Sequence, residues 1–255
     1  VSATTEHKAV LDPLEYLAKQ GHQVTLVAPC PFSDPNAGMV PCKAIAEALN
    51  EQTRLVSVML VNNEIGVIQP VAEIAAACRE RGALLHCDAT QAIGKIPVDV
   101  LALDVDLLSF SGHKIYGPAG IGALVVRRRR PRVKIQPMIL GGGQERGLRS
   151  GTANVAGIVG LAKAVELSLA SLPEESKRIA GLRDRLLDRL RNGLDGVSLN
   201  GPADLALRVP GNLNLRFDGV EGEALMLGMG NVAASSGSAC TSANPAPSHV
   251  LLAMG

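Results

Sequence analysis

The clearest indication of the fold is the segment VDLLSFSGHKIYGP, residues 105–118. Its mostly apolar first half, 105–110, has the pattern of a buried strand, and its second half is a turn that Gly112, Gly117 and Pro118 interrupt. A second apolar run at 120–126 predicts the next strand. Between the two strands stands Lys114, whose ammonium group is costly to bury without a partner. The lysine is therefore either a surface residue of a loop or a residue that forms an imine with a carbonyl substrate or pyridoxal phosphate (PLP).

The composition excludes several classes of protein. A chain of 255 residues, 47% of them hydrophobic, can bury a substantial core in one large domain or two unequal ones. A net charge of +1 and an aromatic content of 2% give neither the field nor the stacking surfaces that nucleic-acid binding uses. There is no apolar run of roughly 18 residues and no signal peptide at Val1, so we expect no membrane association and a cytoplasmic protein.

The five cysteines are odd in number and widely spaced. No C-x-x-C pair occurs among them, so the sequence predicts reduced thiols and neither a zinc site nor a disulfide framework. They are Cys30, Cys42, Cys78, Cys87 and Cys240.

Helix and strand patterns alternate along the first half of the chain. Helices are predicted over 7–20, 41–50 and 70–81, and strands over 22–28, 55–61 and 83–87. This alternation is typical of an α/β fold with a mainly parallel sheet that is covered on both faces. In such sheets ligands bind beyond the carboxyl ends of the strands, and Asn63, Asp88, Gln91 and Lys114 all follow strand ends.

The second half of the chain predicts a smaller α+β domain. Helices over 154–169 and 174–190 lead to short strands at 197–199, 212–217 and 232–234, with a helix over 221–229. We therefore expect a large domain at 1–171 and a small one at 172–255. The basic run at 127–134 is interpreted as a solvated turn rather than a nucleic-acid patch. The Gly-rich loop at 141–152 is either a linker or a clamp for an anion.

The polar residues at the strand ends match what PLP chemistry requires. That chemistry needs a lysine for the covalent link, an acid on the pyridine nitrogen, donors on the phenolic side and for the phosphate, and a group on the ring face. Each residue also has an ordinary alternative as a cap, a turn residue or a surface histidine. The candidates are Lys114 for the covalent link, Asp88 for the pyridine nitrogen, Gln91 and Asn63 for the phenolic side, Ser111 and His113 for the phosphate, and His7 for the ring face.

Six segments together resemble one family. The sequence is similar to cysteine desulfurases of the NifS/IscS type, PLP enzymes of the class V aminotransferase superfamily. The resemblance implies a fold type I large domain, a smaller C-terminal domain and a homodimer. It also implies conversion of L-cysteine to L-alanine, with the sulfur carried as a persulfide to an iron–sulfur scaffold or another acceptor protein. The segments are TEHK at 5–8, VNNEIG at 61–66, DATQ at 88–91, SGHK at 111–114, RSGT at 149–152 and SSGSACTS at 235–242.

The resemblance also implies a role for each matching position. Lys114 would link to the cofactor, Asp88 would pair with the pyridinium nitrogen, and His7 would stack on the ring and assist proton transfer. Asn63 and Gln91 would line the phenolic side, with Asn63 and Arg149 toward the substrate. Ser111 and His113 would hold the phosphate, and Thr152 would reach the phosphate of the neighbouring subunit. Cys240 would take the sulfur and could contact a cluster on a scaffold partner, with no metal intrinsic to the enzyme.

The sequence also departs from the family. The phosphate-binding Gly-Ala-Thr-Glu type turn that precedes the TEHK segment, and the C-terminal arginine that grips the substrate carboxylate, are not present. We therefore expect a truncated chain. The alternatives are a selenocysteine lyase, another class V aminotransferase, or an inactive fragment that serves as a binding or dimerisation module.

Overall fold

The first half of the chain builds a six-stranded sheet in the order β2-β1-β3-β4-β5-β6. In this computed structural model, residues 1–128, 133–235 and 247–255 are described. The first five strands run parallel and β6 is antiparallel to β5, which confirms the mainly parallel sheet. The strands are β1 (Ser2–Ala3), β2 (Leu26–Val27), β3 (Leu55–Met59), β4 (Leu84–Asp88), β5 (Leu107–Ser111) and β6 (Gly122–Val126). The helices between them are α1 (Lys8–Lys19), α2 (Cys42–Ala48), α3 (Val71–Glu80) and α4 (Val100–Leu103).

The two faces of the central strands differ in polarity. Val56, Val58, Leu85 and Leu108 belong to the main buried core, which they share with apolar residues of α2 and α3. The alternate positions include two serines and a histidine among apolar residues, because successive side chains of a strand point to opposite faces. The apolar face thus holds the sheet to its helices. The polar face runs toward Asp88 and Ser111, at the ends of β4 and β5.

The predicted strand at 22–28 is much shorter in the structure. Only Leu26–Val27 pairs, with Ser2–Ala3 of β1. This strand lies at the edge of the sheet, so the alternating pattern upstream of it has no second neighbour to pair with.

One continuous helix, α5 (Val155–Gly193), replaces the two helices that the sequence predicts. Pro173 lies inside it, where the missing N–H normally ends or kinks a helix. Leu161, Leu172 and Leu187 are buried on both sides of the proline, and this packing outweighs the local signal. The expected domain boundary at 171/172 falls within this helix. By length and composition α5 is also the single helix in the described ranges that is apolar enough to cross a membrane, which is weak support for a span.

The smaller unit contains a two-stranded antiparallel sheet. Strands β7 (Val197–Leu199) and β8 (Leu215–Phe217) pair, and helices α6 (Gly222–Gly228) and α7 (His249–Ala253) follow. The predicted strand at 232–234 is wrong, because these residues form no strand and Val232 is exposed. The Cys240 motif from residue 236 onward and residues 129–132 of the basic run lie outside the described residues.

Candidate active site

The turn that carries Lys114 is built from the end of β5. Strand β5 ends at Ser111, and Gly112–Ile115 form a single 3-10 turn. Gly112 N donates to the carbonyl of Ile121 at 2.9 Å, and Gly117 N donates to the carbonyl of Gly112 at 2.9 Å. The buried Ile115 anchors the turn, while Lys114 itself is exposed. The structure therefore presents the lysine at the carboxyl edge of the sheet, as the sequence predicts.

The two candidate phosphate ligands contact each other. Ser111 Oγ and His113 Nδ1 are 2.7 Å apart, one residue before and one after the buried Gly112. A Cβ on Gly112 would lie 3.1 Å from the side chains of Ile121 and Leu161, which leaves little room for a larger residue. The close fit of the glycine thus supports the local geometry of Ser111 and His113.

Asp88 closes strand β4 beside β5. Its Oδ1 accepts a hydrogen bond from Thr90 N at 2.9 Å, and its Cα is the register partner of Ser109. The side chain is half-buried. Oδ1 is thus engaged by the turn, and Oδ2 remains to accept from a ligand.

A turn after β3 places Asn63. Asn62 Oδ1 accepts from the backbone N–H groups of Glu64 at 2.9 Å and Ile65 at 3.0 Å, and Asn62 Nδ2 donates to the carbonyl of Thr5. Asn63 Oδ1 is buried and has no hydrogen-bond partner among the described residues. Because an unsatisfied buried acceptor is costly, this oxygen points to a missing donor.

Three of the predicted residues line one cavity. Its volume is about 720 Å³, within the range of roughly 300–1,000 Å³ that small-molecule sites occupy. Asn63, Gln91 and Lys114 form part of its wall, and α5 and residues 209–212 form the opposite part. The structure thus brings together residues that lie far apart in sequence. Asp88, Ser111 and His113 stand at neighbouring strand ends but outside the lining.

Lys95 also lines this cavity and was missed by the sequence reasoning. Its ammonium donates to Gln91 Oε1. Burial lowers the pKa of Lys95, and the positive charge of Lys114 lowers it further. The spacing of four residues between Gln91 and Lys95 is the signal that would have found the pair, because side chains four apart meet on a helical turn.

The remaining predicted residues lie away from the cavity. His7 caps α1, and its Nδ1 accepts from Ala9 N at 3.1 Å, so the proton of a neutral ring is on Nε2. Arg149 donates to the carbonyls of Ser150 at 3.1 Å and Gly151 at 3.4 Å, within an exposed loop. Thr152 is exposed in the same loop. This chain's own cavity therefore takes no side chain from that loop.

A buried carboxyl, Glu6, lies near Asp88. Its Oε1 accepts from Met59 N at 2.7 Å, while its Oε2 is buried without a partner in the described ranges. Burial raises the pKa of Glu6 to about 8, the Met59 hydrogen bond opposes this, and the negative charge of Asp88 adds to it. Glu6 is therefore protonated at neutral pH and adds no negative charge of its own beside Asp88.

A histidine bridges three strands below Asp88. Ser57 Oγ and His86 Nδ1 are 2.8 Å apart, and His86 Nε2 and Ser109 Oγ are 2.9 Å apart. Burial lowers the pKa of His86, although the Asp88 charge opposes that effect. The histidine is thus neutral near pH 7 and ties β3, β4 and β5 together on the face that carries Asp88.

The four described cysteines are poor candidates for a nucleophile. Burial raises the pKa of Cys78 to about 11 and raises that of Cys87 further, with nearby carboxylates adding to both shifts. The pKa values of Cys30 and Cys42 are also raised, mainly by burial. All four are free thiols in the structure. Because attack requires the thiolate, none of these four is activated. Cys240 itself lies outside the described residues.

The chain belongs to the class V aminotransferase family. Residues 1–255 match the family described as aminotransferase class-V. The match covers the whole length of the chain and agrees with the α/β fold.

Its relatives are cysteine desulfurases. The chain is 53% identical over 255 residues to the cysteine desulfurase IscS of Anaeromyxobacter dehalogenans, covering all of this chain and 61% of the relative. It is 51% identical to the mitochondrial cysteine desulfurase of Arabidopsis thaliana, covering 54% of that protein. Among solved structures it matches a NifS-like protein with a TM-score of 0.86 and 38% identity, covering all of this chain and 64% of that one. The chain thus spans about three fifths of the length of these relatives.

The residues of the cavity fit the cofactor of this family, which is PLP. The cavity offers a lysine, an amide donor in Gln91 and the unpaired buried acceptor Asn63 Oδ1. The charge of Lys95 has no carboxylate partner among the described residues, which suits an anionic ligand. When bound, PLP would be held by Lys114 and by the polar groups at the ends of β3, β4 and β5.

Proposed function

We propose that this protein is a PLP-dependent cysteine desulfurase that converts L-cysteine to L-alanine and transfers the sulfur to Cys240. The observation that carries the proposal is the cavity in which Lys114, Gln91 and the unpaired Asn63 Oδ1 meet. Its support from outside the chain is the similarity to cysteine desulfurases at about half of all positions.

Lys114 and Asp88 each have a definite task in this proposal. Lys114 holds the cofactor, and its amine can accept and return a proton at Nζ. One carboxylate oxygen of Asp88 is left to pair with the positively charged ring nitrogen of PLP. The protonated Glu6 beside it carries no charge and does not compete for this nitrogen. His7 holds its proton at Nε2. When bound, PLP supplies an electron-withdrawing ring that weakens the bonds around the α and β carbons of an amino acid.

The sulfur transfer is assigned to Cys240. The Cβ–S bond of L-cysteine breaks and an S–S bond forms at Cys240 Sγ, so the thiol becomes a persulfide. The carbon skeleton takes up a proton and leaves as L-alanine, which balances the step without an external oxidant. The raised thiol pKa values of the other four cysteines favour this assignment.

We further propose that the protein acts as a homodimer in the cytoplasm and supplies sulfur for iron–sulfur cluster assembly or another thiolation pathway. Met138, Leu140, Val155 and Val159 are exposed apolar residues on either side, in sequence, of the loop that carries Thr152, and their exposure supports a subunit contact there. The sulfur acceptor and the compartment are proposed from the IscS relatives. Sedimentation of the purified protein and cell fractionation test the assembly and the compartment.

Two variants test the proposed reaction. The purified protein should carry a visible absorbance band of bound PLP, and Lys114→Ala should abolish it. Cys240→Ser should retain the band and stop the release of alanine from L-cysteine. Alanine release that survives in Cys240→Ser would exclude the persulfide step.

The controls use residues of the same type outside the site. Lys43 is a surface lysine of α2 with a side-chain exposure of 88%, so Lys43→Ala should keep the band. Cys42 lies on the same helix with a raised thiol pKa, so Cys42→Ser should release alanine at the unaltered rate. A protein that lacks the band before any substitution would contradict the proposed function.

A further inference from the structure

Lys95 is a charged side chain in the cavity for which the proposed reaction has no use. It lines the same wall as Lys114, and the two ammonium groups repel each other. A partly buried cation usually takes a carboxylate partner. Within the described ranges Lys95 makes no ion pair, and its ammonium instead donates to the neutral amide of Gln91.

This contact determines the orientation of the Gln91 amide. An ammonium group has donors and no acceptor, so the atom of Gln91 that it contacts must be the carbonyl oxygen. With Oε1 engaged by Lys95, the group that remains for a ligand is Nε2, which is a donor. Without Lys95 the amide can rotate by half a turn and present either its oxygen or its nitrogen.

The backbone holds Lys95 in place from the opposite side. The carbonyl of Lys95 accepts a hydrogen bond from Ser176 Oγ of α5 at 3.0 Å. Lys95 N in turn donates to the carbonyl of Ala92 at 3.0 Å, within the turn that also carries Gln91. The lysine is thus fixed between the strand-end turn and the long helix.

We propose that Lys95 is a positioning residue that orients the Gln91 amide as a hydrogen-bond donor toward an anionic oxygen of the ligand beside Lys114. The inference rests on the proposed function, under which that oxygen is the phenolic oxygen of PLP. Lys95 acts through Gln91 and its ammonium does not touch the reacting atoms.

The other charged or titratable groups of the cavity do not provide this orientation. Glu175 and Arg178 of α5 form their own ion pair at 2.7 Å, and Tyr116 is fully exposed. Lys114 is assigned to the cofactor. Among the described cavity residues, Lys95 therefore holds the hydrogen bond that fixes Gln91.

The test compares four holoenzymes with the wild type: Lys95→Met, Lys95→Arg, Gln91→Ala and the double variant Lys95→Met with Gln91→Ala. Two readouts are measured, the dissociation constant for PLP and the pH midpoint of the absorbance change of the bound cofactor. Lys95→Met should weaken PLP binding about tenfold, the usual effect of losing one charge-assisted hydrogen bond. It should also raise the pH midpoint, because a donor on the phenolic oxygen weakens the hold of that oxygen on a neighbouring proton.

The rescue and the double variant separate orientation from charge and from folding. Lys95→Arg retains a donor and should restore most of both readouts. In the Gln91→Ala background, Lys95→Met should add less than about a twofold loss, because the amide that it orients is gone. Lys95→Leu, which also lacks a donor, is the second variant to use where Lys95→Met does not fold, with the same expected direction.

The outcomes distinguish this inference from the proposed function. Two outcomes overturn the inference alone. One is a Lys95→Met variant that binds PLP with the affinity of the wild type. The other is a loss of PLP affinity from Lys95→Met that is as large in the Gln91→Ala background as in the wild type. A wild-type protein without a PLP band overturns the proposed function and the inference with it.

Discussion

Glu6→Gln should stabilise the fold in a pH-dependent way. The carboxyl of Glu6 is fully buried, and its pKa is about 8 in place of the ordinary 4.5. Between these two values the unfolded chain ionises Glu6 and the folded chain does not. Below pH 4.5 Glu6 does not reduce the free energy of unfolding. This free energy then falls as the pH rises from 4.5 to about 8, and above pH 8 the contribution of Glu6 is constant.

The magnitude follows from the size of the shift. Each pH unit in this window costs about 1.36 kcal/mol, so at pH 7.5, three units above 4.5, the wild type loses about 4 kcal/mol. Glutamine does not ionise, and its Oε1 can still accept from Met59 N. Its Nε2 takes the place of the protonated Oε2, so the pH-independent difference should be small. We expect Glu6→Gln to be more stable by about 2–4 kcal/mol at pH 7.5.

Urea unfolding at pH 4.5 and at pH 7.5 checks this expectation. The free-energy difference between variant and wild type should be near zero at the lower pH. Glu47→Gln is the control, because this carboxylate is exposed and its pair with Lys43 is long, at 3.8 Å. Equal differences at the two pH values would refute the burial of an uncharged Glu6.

Three further substitutions test the packing around the site by urea unfolding. Leu85→Ala should lower the free energy of unfolding by about 2–5 kcal/mol, because Leu85 is 1% exposed in the main core. The control Leu101→Ala, at a position that is 70% exposed, should lower it little. Equal losses of stability would contradict the core assignment. Arg208→Met should lower the free energy of unfolding by about 3–5 kcal/mol, because the buried guanidinium donates to two backbone carbonyls and one side-chain amide. These three acceptors lose their donor in the variant. An unaltered urea midpoint would show that water takes the place of the guanidinium. Gly66→Ala should destabilise the fold strongly, because its φ is +70° and the new Cβ would lie 2.4 Å from a neighbouring side chain. The control is Gly82→Ala, where φ is similar but the space around the Cβ is open. Similar losses of stability at both glycines would mean that the backbone angle alone causes the loss.

Much of the fold could be predicted from local patterns. The helix ranges at 7–20, 41–50 and 70–81 are confirmed to within a few residues, as are the central strands. These elements carry strong periodicity with a proline or glycine next to an end of each helix, and each depends mainly on its own sequence. The errors fall at the edge strand β2, at 232–234 and at Pro173, where pairing or packing with distant residues decides the outcome.

The order of amino acids was enough to identify the residues at the strand ends, because a parallel sheet places every carboxyl end at one edge. It identified Lys114, Gln91 and Asn63 in this way, and the six motifs identified the family. The folded structure was needed to show that these three share one cavity and that Glu6 is buried beside Asp88. It was also needed to show that Lys95 holds the Gln91 amide. The reason is physical: desolvation and hydrogen-bond direction depend on what surrounds a side chain, and residues from distant parts of the chain supply those surroundings.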